Sequence, residues 1–151
     1  TTLNDVTTTS GISIRFGRLF IENSFGPETA NLTQPFKTQY WDGSQFVVNN
    51  DDNCSAFDSS KMSLTNISLD PALTGLSVDN GSVVSGSTNR LILQAPGEGN
   101  TGAVQLDYVS FDWLKYNWSG TGSVTKNPSA IATFGVFRGN DRIINWREVD
   151  N

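Results

Sequence analysis

Apolar residues in this chain recur with a period of two, and clusters of Gly, Pro, Asn, Asp or Ser interrupt them about every eight to twelve residues. No window sustains the period of about 3.6 residues that an amphipathic helix needs. Successive side chains of a strand point to opposite faces, so this alternation leaves each strand one apolar face to bury. The chain therefore reads as all-β, and the pattern predicts an antiparallel two-sheet β-sandwich of about nine or ten short strands. Its 151 residues make one domain, long enough to bury its own core without metals or cross-links. Thr1 to Ser10 reads as a Thr-rich lead-in or linker to something upstream, and residues 11–151 as a single β-sandwich domain.

Ile12 to Glu22 alternates Ile12, Ile14, Phe16, Arg18 and Phe20 against Ser13, Arg15, Gly17, Leu19 and Ile21, which makes one face core-directed and turns the other apolar near its end. Asn23 to Pro27 ends that strand. Pro35 to Trp41 sets Phe36, Thr38 and Tyr40 against Lys37, Gln39 and Trp41, and Asp42-Gly43-Ser44 turns the chain into Gln45 to Asn49 as a hairpin. Further strands are predicted at Met62 to Leu69, Val83 to Ser85, Arg90 to Ala95, Ala103 to Tyr108 and Trp113 to Trp118. Pro71 to Gly75 reads as one short helical turn. Asn127 to Val149 reads as two strands joined by a Gly139-Asn140 turn, with opposite charges among Arg138, Asp141, Arg142, Arg147 and Glu148 placed to pair across it or to mark an interface.

Composition removes whole classes of function. Ten Lys and Arg against fifteen Asp and Glu give a net charge of −5, with the basic residues scattered, so neither nucleic acid nor an anionic membrane is an expected partner. No apolar run approaches the roughly 20 residues of a membrane span, so this chain is not expected to insert into a membrane. With no histidine, most nucleophilic triads and most zinc chemistry lose their usual imidazole. No two carboxylates fall in a recognisable glycosidase arrangement. The chain is not expected to be an enzyme. The one cysteine, Cys54, has no partner within the sequence for a disulfide. It reads as a buried inert thiol, as the partner of a cysteine elsewhere, or as a reactive thiol, the last disfavoured by the lack of any histidine to activate it.

Three segments carry candidate sites. Asn49 to Asn53, with Asp58 nearby, sets carboxylates and amide oxygens together, and Asp51, Asp52 and Asp58 are the candidate ligands for calcium, which takes six to eight oxygens. The spacing matches no EF-hand loop, and the competing reading is an exposed turn whose side chains bond to their own backbone. The glycine-rich loop Ala95 to Gly102 lacks the Lys-Ser/Thr of a phosphate loop, and it offers Glu98 and Asn100 as contacts for a ligand or a neighbouring domain. Trp41 and Trp113 are candidates for a sugar-stacking platform. Leu114, Tyr116 and Trp118 share a face expected to pack inward, opposite Trp113, Lys115 and Asn117, and both Trp118 and Trp146 read as core.

The segment Tyr40-Trp-Asp-Gly-Ser-Gln-Phe-Val-Val-Asn-Asn-Asp-Asp-Asn-Cys54 is joined in this respect by Arg15-Phe-Gly-Arg-Leu-Phe-Ile-Glu-Asn-Ser-Phe-Gly26, by Pro96-Gly-Glu-Gly-Asn-Thr-Gly102, by Trp113 to Trp118 and by the final hairpin. In combination they make the chain resemble the C-terminal domain family of MshQ-like proteins, large bacterial surface proteins encoded with the MSHA type IV pilus. The resemblance covers Asp51, Asp52 and Cys54. It implies an extracellular, cell-surface module that contributes to pilus assembly or attachment, with pilus subunits or other domains of the parent protein as partners. An oxidising surface would also permit a disulfide from Cys54 to another segment. Two alternatives stand beside it: an adhesin domain for surface glycans, calcium-assisted through the acidic loop, and a structural spacer in a surface stalk.

Overall fold

The computed structural model describes residues 14–122 and 125–136. They form eleven strands: β1 (Gly17–Ile21), β2 (Ser24–Gly26), β3 (Leu32–Trp41), β4 (Phe46–Val48), β5 (Ala56–Phe57), β6 (Met62–Asn66), β7 (Leu76–Val78), β8 (Gly81–Ser82), β9 (Ser87–Leu93), β10 (Gly102–Tyr108) and β11 (Ser129–Phe134). The helical pieces among the described residues are three 3₁₀ turns, at Ser59–Lys61, Pro71–Leu73 and Asp112–Leu114. The fold is all-β, with two main sheets stacked face to face. The first sheet has the order β1-β3-β9-β7, with β4 also on β3; the second runs β2-β11-β10-β6, and β5 and β8 form a separate ribbon.

The stacking follows from the alternation. On β3, Leu32, Gln34, Phe36 and Thr38 are buried, and on β1 the buried residues are Leu19 and Ile21, which lie opposite Thr38 and Phe36. Val104, Leu106 and Tyr108 of β10, with Ala130, Ala132 and Phe134 of β11, meet them from the second sheet. Phe36 sits at the centre, fully buried, with its ring 5.2 Å from Tyr108 in an edge contact and 5.9 Å from Phe57. Pro35 lies inside this central strand without a backbone N–H to give its ladder, and the register with β9 shifts between Gln34 and Phe36, the kind of bulge to which proline is confined. Its carbonyl still accepts from the Glu22 N–H at 2.9 Å.

Several predicted elements form as read. The β3–β4 hairpin turns on Asp42, whose Oδ1 accepts from the N–H of Ser44 at 2.8 Å and of Gln45 at 2.9 Å. The helical turn at Pro71 is capped by Asp70, whose side chain accepts from the Ala72 N–H. Others differ. Leu19 and Ile21 form the core-directed face of β1, whereas Ile14 and Phe16 are 92% and 63% exposed. Burial favours that register because the opposite face carries Arg18, whose charge resists full desolvation. Val83 to Ser85 contributes only a bridge, Val84 to Ser87, around a tight turn with positive φ at Ser85 and Gly86. Trp113 to Trp118 is not a strand: it opens in a 3₁₀ turn, and only Tyr116 finds a ladder partner, Lys126. β2, β5 and β7 are too short for alternation to reveal, and β2 pairs with β11 in parallel. The predicted second strand of the C-terminal hairpin, with Trp146 and the charged residues 138–148, lies outside the described residues.

Truncating Phe36 removes the ring on which Phe57 and Tyr108 close. Phe36→Ala is expected to lower unfolding free energy by about 3–5 kcal/mol, read as a fall in the urea midpoint with an unchanged slope.

Candidate functional site

The acidic loop follows β4 and is held on both sides by main-chain bonds. Asn49 N–H donates to Thr38 O, Asp52 N–H to Asn49 O, and Gly86 N–H to Asp52 O at 2.7 Å. Gly86 has φ +73°, and a Cβ there would stand 2.4 Å from the Asn49 carbonyl oxygen, so only glycine lets the two turns approach this closely. Asp52 is 8% exposed, and its Oδ1 accepts from the N–H groups of Cys54 at 3.0 Å and Ser55 at 2.9 Å. Burial opposes its ionisation, but hydrogen bonds from Ser55, Cys54 and Thr38 outweigh that cost and hold the carboxyl down to about 2.

The three carboxylates proposed as calcium ligands are not brought together. Asp51 is exposed and pairs with Arg15 at 2.8 Å. Asp52 is occupied by its own turn. Asp58 caps the 3₁₀ turn at Ser59, accepting from the Ser60 N–H, and bonds from Ser60 lower its pKa. Among the described residues, no group of three or more acidic or cysteine side chains converges as a metal site would need. The loop is therefore a self-bonded turn, although a buried one at Asp52 where an exposed one was expected. Cys54, expected to be buried if inert, is exposed, with its thiol 3.7 Å from Asp52 Oδ1.

Beside this loop lies an open cleft of about 330 Å³, whose lining includes Arg15, Tyr40, Asn49, Asp51, Asp52, Cys54 and Trp113. Arg15 is fixed three ways: its guanidinium lies 4.3 Å over the Tyr40 ring, donates to Asn49 Oδ1 at 2.6 Å and pairs with Asp51. Trp113 is 71% exposed and stacks on Phe111 with ring centroids 4.7 Å apart and planes 6° from parallel. A polar hollow of about 480 Å³, lined by Gln105, Asp107, Lys115 and Lys126 among others, lies elsewhere and contains none of the candidate ligand or metal residues.

Trp41 belongs to a different surface. The outward residues of β1, β3 and β4 form an aromatic field around Arg18, whose guanidinium lies 3.8 Å from the Phe46 ring centroid, 4.8 Å from Trp118, 4.9 Å from Tyr116 and 5.6 Å from Phe20. Its Nε donates to Gln39 Oε1 at 2.8 Å. Burial among these groups lowers the guanidinium pKa, with Tyr116 opposing. Trp118 is 36% exposed and packs here against Phe20 and Tyr116; it is not in the core, because the stacking satisfies its ring on the outside of the sheet. Leu114 alone of the expected inward trio packs against the core. Phe16 and Trp41, at 63% and 44% exposed, flank Phe46 at the edge of the field.

Glu98 is exposed, while Asn100 spends its amide on the Pro96 carbonyl at 2.9 Å, so it braces its own loop. Sequence reasoning missed Arg15 and Arg18, and it read Asn49 only as part of the acidic loop. The available signal was the alternation itself, which places Phe16, Arg18 and Phe20 on one face.

The family model described as DUF6701, fourth domain, matches residues 15–149. No curated protein and no solved structure matches the chain.

A depressed carboxyl stabilises the fold above its unfolded pKa, and the contribution disappears as pH falls through the folded value. Asp52 should therefore contribute about 2 kcal/mol at neutral pH, lost between about pH 4 and pH 2. Asp52→Asn is expected to flatten that part of the stability curve, measured by urea unfolding across the range, and an unaltered acid slope would remove Asp52 from this role.

Proposed function

The chain belongs to the DUF6701 fourth-domain family, and from that premise we propose that it is a non-enzymatic, extracellular recognition module of an MshQ-like, pilus-associated surface protein, contributing to pilus assembly or attachment. The observation that carries this reading is the aromatic field on the outside of the first sheet. Exposed aromatic and Arg side chains, clustered on a rigid strand face, are the residue types that anchor protein interfaces. Phe16, Trp41 and Trp118 supply the rings, and the strands beneath hold them in place. The resemblance of those sequence motifs to MshQ-like proteins supports the pilus reading, and the histidine-free composition supports a role without catalysis.

A second reading, glycan binding, is favoured by one specific feature: the exposed Trp113 ring lining a cleft with Arg15, Asn49 and Asp51. An aromatic face suits the C–H face of a sugar ring, and the polar groups suit its hydroxyls.

Surface plasmon resonance of the purified domain against purified pilus subunits separates the two. Saturable binding that weakens about tenfold with Trp41→Ala and persists in Trp113→Ala is expected from the assembly reading. Binding to a glycan array that is lost with Trp113→Ala supports the second instead. A folded domain that binds neither would leave the spacer role.

A further inference from the structure

We infer that the cleft bounded by Trp113, Arg15, Asn49 and Asp51 takes a neutral pyranose and rejects acidic sugars; this rests on the glycan reading of that cleft. Two independent features point there. The first is an unfinished stack. Lys61 Nζ lies 4.5 Å over the Phe111 ring, and Trp113 lies parallel to the same ring at 4.7 Å. Lys61 and Trp113 both hold the Phe111 ring, the first by its charge and the second by parallel stacking. Trp113 has one face covered by Phe111, and 71% of the residue is still exposed. The stack fixes the orientation of Trp113 before any ligand arrives, which lowers the ordering cost of binding.

The second feature is the charge of the polar wall. Arg15 is already neutralised by Asp51 at 2.8 Å, with Asn49 on its other nitrogen. Asp52, ionised above about pH 2, lines the same cleft, and the chain as a whole carries −5. A carboxylate-bearing sugar would have to displace Asp51 and enter a negative field. Hydroxyls can instead accept from the Arg15 guanidinium and donate to the Asp51 and Asn49 oxygens without separating the pair. A quaternary ammonium fits the charge but not the rings. Cages for such cations use several open aromatic faces. Here Trp113 supplies one, while the Tyr40 face is covered by Arg15. The volume of about 330 Å³ lies at the small end of ligand pockets, suited to one terminal ring and not to a long chain.

The test uses the folded domain with methyl β-glucoside, methyl β-galactoside, glucuronic acid, N-acetylneuraminic acid and choline as probes, read by ligand-observed NMR and tryptophan fluorescence. A neutral glycoside is expected to bind saturably, at least about tenfold more tightly than either acid. Trp113→Ala, at an exposed position and checked for an unchanged melting temperature, should abolish that binding. Asp51→Asn should free the Arg15 charge and admit the acidic sugars, and an unchanged preference in that variant would overturn the role given to Asp51. Acids binding as well as neutral sugars, or choline binding best, would overturn the ligand class while leaving the cleft in use. Undiminished binding in folded Trp113→Ala would move the sugar site elsewhere. No binding of any sugar would overturn both this inference and the glycan reading beneath it.

Discussion

The strand Leu32–Trp41 carries hydrogen-bonded partners on both edges, β1 on one and β9 with β4 on the other, so its register decides what reaches the core and what reaches the surface. A slip of one residue would exchange its two faces. Phe36 would leave its contacts with Tyr108 and Phe57, and Lys37 would enter in its place. Both candidate surfaces depend on the same choice. With Tyr40 turned towards the cleft and Gln39 and Trp41 turned away, Arg15 finds the Tyr40 ring while Arg18 finds Gln39 and the aromatic field. Two arginines three residues apart thus serve opposite faces of one sheet edge.

What was legible in the sequence was whatever alternation and turn chemistry encode locally. The hairpin at Asp42, the turn capped by Asp70, the long strands of both sheets and the sandwich class all follow from short-range rules. The face of β1 was harder, because Ile14 and Phe16 are apolar yet exposed, and only Arg18 between Phe16 and Phe20 signals an outward row. The segment after Tyr108 misled for a related reason. Leu114, Tyr116 and Trp118 alternate as a strand would, but only Leu114 packs inward, and the rings of Tyr116 and Trp118 are satisfied by Arg18, Phe20 and Phe46, which lie far away in sequence and carry no local trace. The acidic loop looked like a set of ligands because composition cannot distinguish oxygens aimed at a cation from oxygens already accepting backbone N–H groups.

Trp113 and Trp41 were grouped by sequence as one platform, and the fold separates them. Trp113 stacks on Phe111 from within a 3₁₀ turn, next to a polar cleft. Trp41 stands at the margin of an aromatic field on strands. Their surroundings differ in the property that matters for recognition: the first offers one ring face with paired charges beside it, the second offers several rings with an embedded cation. One small domain can therefore present two chemically different surfaces without enlarging its core.

The connection from β10 to β11 joins hydrogen-bonded neighbours of the second sheet, for which a few residues would suffice. It runs instead from Val109 to Pro128, and its Tyr116 and Trp118 lie on the outside of the first sheet against Arg18. The chain thus clasps the sandwich from without. Drawing the two sheets apart requires peeling these rings from the guanidinium as well as opening the core between the layers. The second sheet is tied to the outer face of the first by contacts at the surface, apart from the core between the layers.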